Sequence, residues 1–383
     1  MPLTVLQIIP ALGSGGAEQA CVDMAAALVK RGDRAIIVST GGWREKTAEE
    51  AGAVFIKRDV ATKNPARIIR NAFWLAELIR REGVDIVHAR SRAPAWSAKI
   101  ACRLTGCPFV TTFHAAYKFS SAVKRAYNSV MAAADRVIAI SPFIAAHVSE
   151  HYGVGKDRLR LVDRGVDVKA FDPLAIEQGR VEALREAWGM KPEEKAILLP
   201  ARLSSIKGHE TVIRAVALLR KQGQVSPPVL LVGDDQGREG YTQRLRSLIQ
   251  EEELDDVVRL VGACKDMAAA YALARLALQP SKVPEGFGRV PVEAMAAGVP
   301  VIASDLGGMK NTIVVGKTGW LVAPDDAPAW ASAMAKALAM TPEATAAMGK
   351  TGRAHVAAHF TDALMIAKTL AVYDEVAAEK ARP

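Results

Sequence analysis

Two carboxylates, Glu285 and Glu293, stand with seven residues between them in PEGFGRVPVEAMAAGVPVIAS (284–304), and a Gly-Phe-Gly turn follows the first. The second lies in a short apolar helix pattern, where Pro291 suits the first helical turn. Backbone amides near Gly288, Arg289 and Val290 can hold a phosphate at such a helix start. Glu285, just before the turn, can reach sugar hydroxyls. Glu293, inside the helix, can accept both hydroxyls of a ribose. A plainer reading is that each carboxylate complements the positive end of the helix, worth roughly 0.3–1 kcal/mol. It explains either glutamate but not the glycine turn. No histidine stands close by, and nothing in the stretch looks like a metal site.

Three further segments carry chemistry-bearing residues. In PALGSGGAEQ (10–19), Gly13, Gly15 and Gly16 precede a helix that begins near Ala17, and bare amides at a helix start make an anion site. The dinucleotide pattern G-x-G-x-x-G is not met, because Glu18 takes the last place, and there is no Walker lysine. The segment reads either as a tight strand–helix turn or as a phosphate or substrate contact. His114 in TTFHAAY (111–117) directly follows a strand, a place for a structural histidine or a functional one. Arg202 and Lys207 in PARLSSIKGHE (200–210) lie between a strand and the helix that Gly208-His209 begins. Two cations so placed can neutralise a diphosphate, or they are solvated surface charges.

The elements that position these residues alternate strand and helix. Strand-like runs in the first half are 4–9, 35–39, 84–89, 108–113 and 136–140, with helical patterns at about 17–31, 66–82, 93–104, 119–134 and 142–151. The second half restarts with strands at 196–201, 228–233, 257–262, 276–280 and 299–304. Continuous apolar strands between helices predict parallel sheets covered on both faces. Two such series predict two doubly wound α/β domains, joined near LVDRGVDVKAFDP (161–173). Ligands of open parallel sheets bind beyond the carboxyl ends of the strands, where each candidate residue falls.

The length of 383 residues suits two domains, and a composition half hydrophobic fills two cores. No apolar run is long enough to span a bilayer, and the opening MPLTVLQIIP reads as a buried strand, not a signal peptide. Cys21, Cys102, Cys107 and Cys264 form no close CxxC pair, which fits a reducing, cytosolic compartment. The formal net charge of +9 is unevenly spread. Residues 1–164 hold 24 Lys plus Arg against 14 Asp plus Glu, whereas 165–383 hold 26 against 27. The first half therefore faces an anionic partner: membrane, nucleic acid or phosphorylated substrate. No aromatic-basic nucleic-acid motif is evident, so nucleic acid is not expected.

With these residues in place, the chain resembles glycosyltransferase family 4, retaining sugar-nucleotide enzymes of the GT-B fold with two facing Rossmann-like domains and a cleft between them. The resemblance rests on GSGGAEQ, TTFH, RGVDVKAFDP, ARLSSIKGHE, VGDD (232–235), the 284–304 stretch, SDLGG (304–308) and TGWLVAPDD (318–326), in order. Two departures are Asn311, where the family has a glutamate three residues after the paired glycines, and Ala201, in place of the Gly of G-R-L. The resemblance implies an acceptor domain over 1–165, a nucleotide-sugar domain over 166–360, and a helix at about 361–380 that packs back on the first domain.

It also implies residue roles. Arg202 and Lys207 bind the donor pyrophosphate. Glu285 takes hydroxyls of the transferred sugar and Glu293 the ribose. Gly286, Phe287, Gly288, Arg289 and Val290 hold diphosphate and sugar through the backbone. Gly15 and Gly16 approach donor phosphate or acceptor, and His114 contacts the sugar near the reacting centre. His114, Glu285, Arg202 and Lys207 are the expected catalytic group. No D-x-D triplet occurs, so no metal and no cofactor is expected. The implied reaction moves a hexose from a nucleoside-diphosphate sugar to a glycan or lipid-linked acceptor, as in lipopolysaccharide synthesis. An inverting transferase with His114 as general base, a related epimerase and a non-catalytic basic binding protein are the rival readings.

The basic half then suggests peripheral docking on the anionic inner face of the cytoplasmic membrane. Helical spacing over 66–82 puts Ile68, Ala72, Leu75 and Ile79 on one face and Arg67, Arg70, Trp74 and Arg81 near the other, with Trp74 as an interfacial anchor. YKFSSAVKRAY (117–127) adds Lys118, Lys124 and Arg125 among Tyr117, Phe119 and Tyr127. The plainer reading is a solvated helix with one stray aromatic.

Overall fold

A computed structural model describes residues 2–13, 15–117, 119, 121–224 and 226–380. Lys118, one of the expected membrane-facing cations, lies outside them. The chain forms two compact units, Met1–Asp163 with Ala363–Pro383, and Arg164–Asp362.

In the first unit the strands are β1 (Thr4–Ile8), β2 (Arg34–Ser39), β3 (Val54–Lys57), β4 (Ile86–Ala89), β5 (Phe109–Phe113), β6 (Arg136–Ala139) and β7 (Leu159–Leu161). They form one parallel sheet in the order β3-β2-β1-β4-β5-β6-β7. Its helices are α1 (Gly16–Arg31), α2 (Glu45–Glu50), α3 (Pro65–Glu82), α4 (Arg92–Thr105), α5 (Ala122–Asn128) and α6 (Pro142–Tyr152). Local chemistry sets their ends. The Asn64 side chain accepts from the amide of Arg67 at 3.2 Å and Pro65 opens α3, while the Ser141 hydroxyl accepts from the amide of Ile144 at 3.1 Å and Pro142 opens α6.

In the second unit the helices are α7 (Gln178–Ala187), α8 (His209–Lys221), α9 (Glu239–Glu251), α10 (Met267–Ala272), α11 (Arg289–Ala296), α12 (Met309–Thr312), α13 (Ala327–Leu338) and α14 (Pro342–His359). The strands are β8 (Ala196–Pro200), β9 (Val229–Val232), β10 (Val258–Gly262), β11 (Ala274–Gln279), β12 (Val301–Ser304) and β13 (Gly319–Val322), paired in parallel in the order β10-β9-β8-β11-β12-β13. The final helix, α15 (Asp362–Lys380), belongs almost wholly to the first unit. Its Met365, Val372, Tyr373 and Val376 join the core that β1, β2 and α1 build. A second core lies between β8, β9, β11, β12 and helices α8, α9 and α13.

Both sheets are doubly wound and parallel, as the continuous apolar strands predict. Three strands escaped the pattern. β3 and β7 are edge strands of four and three residues, with Val54 and Leu161 exposed, so neither reads as a buried run. β13 is four residues long and opens on a glycine. The helix expected over 119–134 is two shorter pieces: α5, capped by the Ser121 hydroxyl, and a 3-10 turn at Ser129–Ala132.

The expected membrane anchors are also corrected. Trp74 is half-buried, with the Arg58 guanidinium 4.1 Å from its ring centroid. The exposed apolar residues of α3 are instead Phe73 (62%) and Ile69 (51%). Tyr127 stacks on Trp96 with ring centroids 6.3 Å apart, Tyr117 lies 4.2 Å under the Arg92 guanidinium, and Phe119 meets the edge of His151. These aromatics are spent on packing inside the unit.

One backbone approach governs the second unit. Gly208 has φ 75°, and a Cβ there would overlap the carbonyl oxygen of Pro280, just past β11. Gly223 has φ 73° with open space around it. Alanine in a left-handed conformation costs about 1–2 kcal/mol. Gly223→Ala is expected to lower the thermal midpoint by about that equivalent, and Gly208→Ala by clearly more. Equal shifts in scanning calorimetry would remove the steric argument.

Candidate functional site

Strand order reverses between β8 and β11: the chain runs outward from β8 to β9 and β10, then returns to the other side. Ligands of open parallel sheets bind at such a reversal. The loops leaving these two strands carry Arg202 and Lys207 on one side and residues 284–290 on the other. Gly208 lets them touch, and the amide of Lys282 donates to the Ile206 carbonyl at 2.8 Å. Lys207 Nζ then meets Glu285 Oε1 at 2.7 Å.

Glu285 is held by more than Lys207. The Ser281 hydroxyl donates to the same oxygen, and Gln279 at the end of β11 also hydrogen-bonds it. Burial pushes the Glu285 carboxyl up, but the Lys207 ammonium and these hydrogen bonds outweigh it and leave the group below its ordinary range. Glu285 is therefore a fixed anion at neutral pH. Lys207 has two further N–H donors to offer.

The turn after Glu285 rests on the loop that leaves β12. The amide of Gly308 donates to the Glu285 carbonyl at 2.8 Å, and any Cβ on Gly308 would collide with Phe287. Gly286 and Phe287 are thus pinned from below. Gly288, at φ 98°, starts α11, so the amides of Arg289 and Val290 begin a helix with no acid in its first turn. Phosphate is favoured at such a place.

Glu293 lies one turn further along α11 and is only 6% exposed. Arg289 Nε donates to its Oε1 at 2.5 Å, and the Tyr271 hydroxyl approaches Oε2 at 3.4 Å. Here burial wins over Arg289: the carboxyl is held above its ordinary range. Arg289 is half exposed, so a ligand can take its place.

Arg202 is less committed. Its Nη1 donates to Gln236 Oε1 at 3.3 Å, and its Nε is buried without a protein partner. Ser204 Oγ, in the loop after β8, and Gln279 Oε1 and Ser304 Oγ, at the ends of β11 and β12, are likewise buried without a partner among the described residues. Buried polar groups are usually hydrogen-bonded, so this edge has capacity for hydroxyls and phosphate oxygens.

Lys207, Glu285–Val290 and Glu293 thus come together on the second unit, and Arg202 lies on the same unit beside Gln236. Gly15, Gly16 and His114 lie on the first. Gly15 caps α1, and the Glu18 carboxylate lies against it where a Cβ would go. His114 follows β5 and is half-buried, and its backbone amide donates to the Tyr117 hydroxyl oxygen. Sequence reading missed Gln236, Tyr271, Gln279 and Ser281. Ser281, four residues before Glu285, is the one a loop motif could have offered.

Residues 180–355 match the family model of glycosyl transferases group 1, and residues 14–170 match that of glycosyltransferase family 4. A D-inositol 3-phosphate glycosyltransferase of Pseudarthrobacter chlorophenolicus is 29% identical over 281 residues, 70% of this chain. The match spans 65% of that relative's length. The crystal structure of a glycosyltransferase from Rickettsia africae is 33% identical with a TM-score of 0.90, covering 98% of each chain. Anabaena HepE in complex with UDP and glucose is 23% identical with a TM-score of 0.82, over 96% of this chain and 99% of its own. The two parallel sheets are those of the GT-B fold.

The two glutamates should respond oppositely to removal of charge. Glu293, raised, ionises at a cost to the fold that is fully present above its raised pKa and vanishes as pH falls through it. Glu285, lowered, contributes stability that is present at neutral pH and lost as pH falls through its depressed pKa. Thermal midpoints at pH 7 are expected to rise for Glu293→Gln and fall for Glu285→Gln, both differences shrinking towards acid pH. Shifts of the same sign would contradict the assigned environments.

Proposed function

The chain belongs to glycosyltransferase family 4, and on that premise we propose that it moves a hexose from a nucleoside-diphosphate sugar to an acceptor hydroxyl with retention of configuration. The observation that carries the reading is the Lys207–Glu285 pair beside a helix-start turn and the loosely held Arg202. In this reading the pyrophosphate takes Arg202, Lys207 and the backbone amides of the 286–290 turn. Sugar hydroxyls go to Glu285, and the ribose displaces Arg289 from Glu293. UDP and glucose in the neighbouring HepE complex suit such a donor.

In the transfer, the bond between the anomeric carbon and the phosphate oxygen breaks with oxocarbenium character. Arg202, Lys207 and the start of α11 stabilise the charge that builds on the leaving diphosphate. The acceptor hydroxyl attacks from the face the diphosphate leaves, and its proton passes to the departing phosphate oxygen. No metal ion takes part in this scheme. The family's use in surface-glycan synthesis, including lipopolysaccharide, makes such a glycan the acceptor. The relatives that act on D-inositol 3-phosphate supply a second acceptor class.

Arg202→Ala and Lys207→Ala are each expected to cut turnover roughly 10²-fold. NMR of the product should show the donor's anomeric configuration, and activity should persist in excess EDTA. An inverted product would make His114 the general base of an inverting enzyme. Loss in EDTA restored only by Mn²⁺ or Mg²⁺ would overturn the metal-free scheme.

The enzyme would work at the inner face of the cytoplasmic membrane. No helix among the described residues is long and apolar enough to cross a membrane. Phe73 and Ile69 stand exposed on α3 among Arg67, Arg70, Arg80 and Arg81. Apolar side chains between cations suit an anionic lipid surface, each cation adding about 1 kcal/mol. The protein should sediment with anionic vesicles but not zwitterionic ones, and about 0.5 M salt should release it. Replacing Ile69 and Phe73 by Ser should weaken that binding, and equal sedimentation with both vesicle types would refute it.

A further inference from the structure

The carboxyl edge of the first sheet holds arginines whose partners are all neutral. At the end of β3, Arg58 Nε donates to Asn71 Oδ1 at 2.9 Å, with Trp74 beneath the guanidinium. After β4, buried Arg90 donates through Nε and Nη2 to Gln7 Oε1 at 2.8 and 2.6 Å. Arg92, two residues on, donates from Nη1 to Asn128 Oδ1 at 2.8 Å and lies 4.2 Å over the Tyr117 ring. None of the three forms an ion pair among the described residues.

Apart from Glu18 at the start of α1, three acids of this edge face lysine or arginine. Glu45 faces Lys57 at 3.9 Å, Asp59 faces Arg67 at 3.5 Å and Asp163 faces Lys368 at 3.5 Å. Along this edge α1 and α2 start with Glu18 and Glu45 in their first turns, whereas α3, α4, α5 and α6 start with no acid there. The macrodipole favours acids there and disfavours a cation such as Arg92, the first residue of α4. In the second unit α8, α9 and α14 carry Glu210, Glu239 and Glu343 in their first turns, and α7, α10, α11, α12 and α13 carry no acid there. Lys207 and Arg289 are paired with carboxylates there. The part of this edge that follows β4, β5 and β6 therefore combines Arg90 and Arg92 with helix starts that carry no acid.

Arg92 is the member of the set shaped for contact. The Tyr117 face and the Asn128 amide fix the plane of the guanidinium and leave its charge unneutralised. Among the described residues Nε and Nη2 have no hydrogen-bond partner, and together they form the fork that grips a carboxylate or phosphate bidentately. The Tyr117 hydroxyl oxygen accepts from the backbone amide of His114, just past β5, the strand next to β4. Arg58 and Arg90 are turned onto protein groups and supply field rather than contact.

We propose that the acceptor bears an anionic group, phosphoryl or carboxylate, and that Arg92 binds it, with Tyr117 positioning the guanidinium. This names the acceptor class for the transferase reading and rests on it. The donor's own phosphates are matched by Arg202 and Lys207 on the second unit, so they do not account for these charges.

The test titrates the full chain, in excess UDP and GDP, with D-glucose 6-phosphate, D-glucuronate and D-glucose by ligand-observed NMR. The two anions should bind and glucose should not. Arg92→Gln should weaken the anions by about tenfold or more, since charge-assisted hydrogen bonds of this kind are lost. Arg92→Lys should recover part of the binding. UDP and GDP affinities should be unchanged in both variants, whereas Arg202→Ala should do the reverse. Anions that bind no better than glucose, or that weaken with Arg202→Ala instead, would overturn the proposal and leave the nucleotide reading standing. So would an Arg92→Gln variant altered only in sedimentation with anionic vesicles, which would make the charge a lipid-facing one. Loss of nucleotide binding by the unmodified chain would sink the transferase reading instead.

Discussion

The second unit depends on how closely three strand-end loops approach one another. Gly208 brings the loop of β8 against the backbone of Pro280, and Gly308 lets the turn after Glu285 rest on the loop of β12. These are contacts between main chains, with no side chain to adjust the fit. Once they are made, Lys207 has no choice but to face Glu285. The amides at the start of α11 point to one place for the same reason. A side chain at either glycine would separate the loops by the width of a methyl group, and a charge pair held at 2.7 Å does not survive such a shift.

Charge is handled differently in the two units. Around Glu285 and Glu293 the cations are paired but replaceable: Lys207 has donors to spare and Arg289 is half exposed. A ligand with its own anions and hydroxyls can exchange partners there with little net loss of hydrogen bonds. In the first unit Arg58, Arg90 and Arg92 rest on amides and aromatic faces. Burying Arg90 against Gln7 instead of a carboxylate carries a desolvation cost that a counter-ion would have relieved. That cost keeps a permanent field in place, which also helps hold His88 neutral.

Much of this was legible in the sequence, and the failures have physical causes. Parallel sheets announce themselves because a strand covered on both faces is apolar throughout, as ILLP and VLLV are in β8 and β9. β3 and β7 lie at the edge, where one side meets water and the signal fades. Glu285, Lys207 and Glu293 stood out because glycine turns and a helix start bracket them. Gln279, Gln236 and Tyr271 did not, since their parts depend on loops brought together from distant segments. A helical wheel placed Trp74 outside because it sees one helix; Arg58 arrives from β3 to cover it. Arg92 was passed over because nothing local shows that its partners are Asn128 and a tyrosine ring rather than an acid.

The last helix has a consequence for how the protein is made. Tyr373 reaches His88 at 2.7 Å in the core of the first unit, and Glu375 joins Arg136 at the base of β6. The first unit is therefore not a continuous stretch of chain; 199 residues of the second are inserted before its final piece. On a ribosome adding about 5–20 residues per second, the first sheet waits roughly 10–40 s for α15 after β7 has emerged. For that interval the groove that α15 fills along β1, β2 and α1 is open apolar surface. The second unit, continuous in sequence, can fold meanwhile. The second unit can thus be complete before the first, whose core closes only when the last helix of the chain arrives.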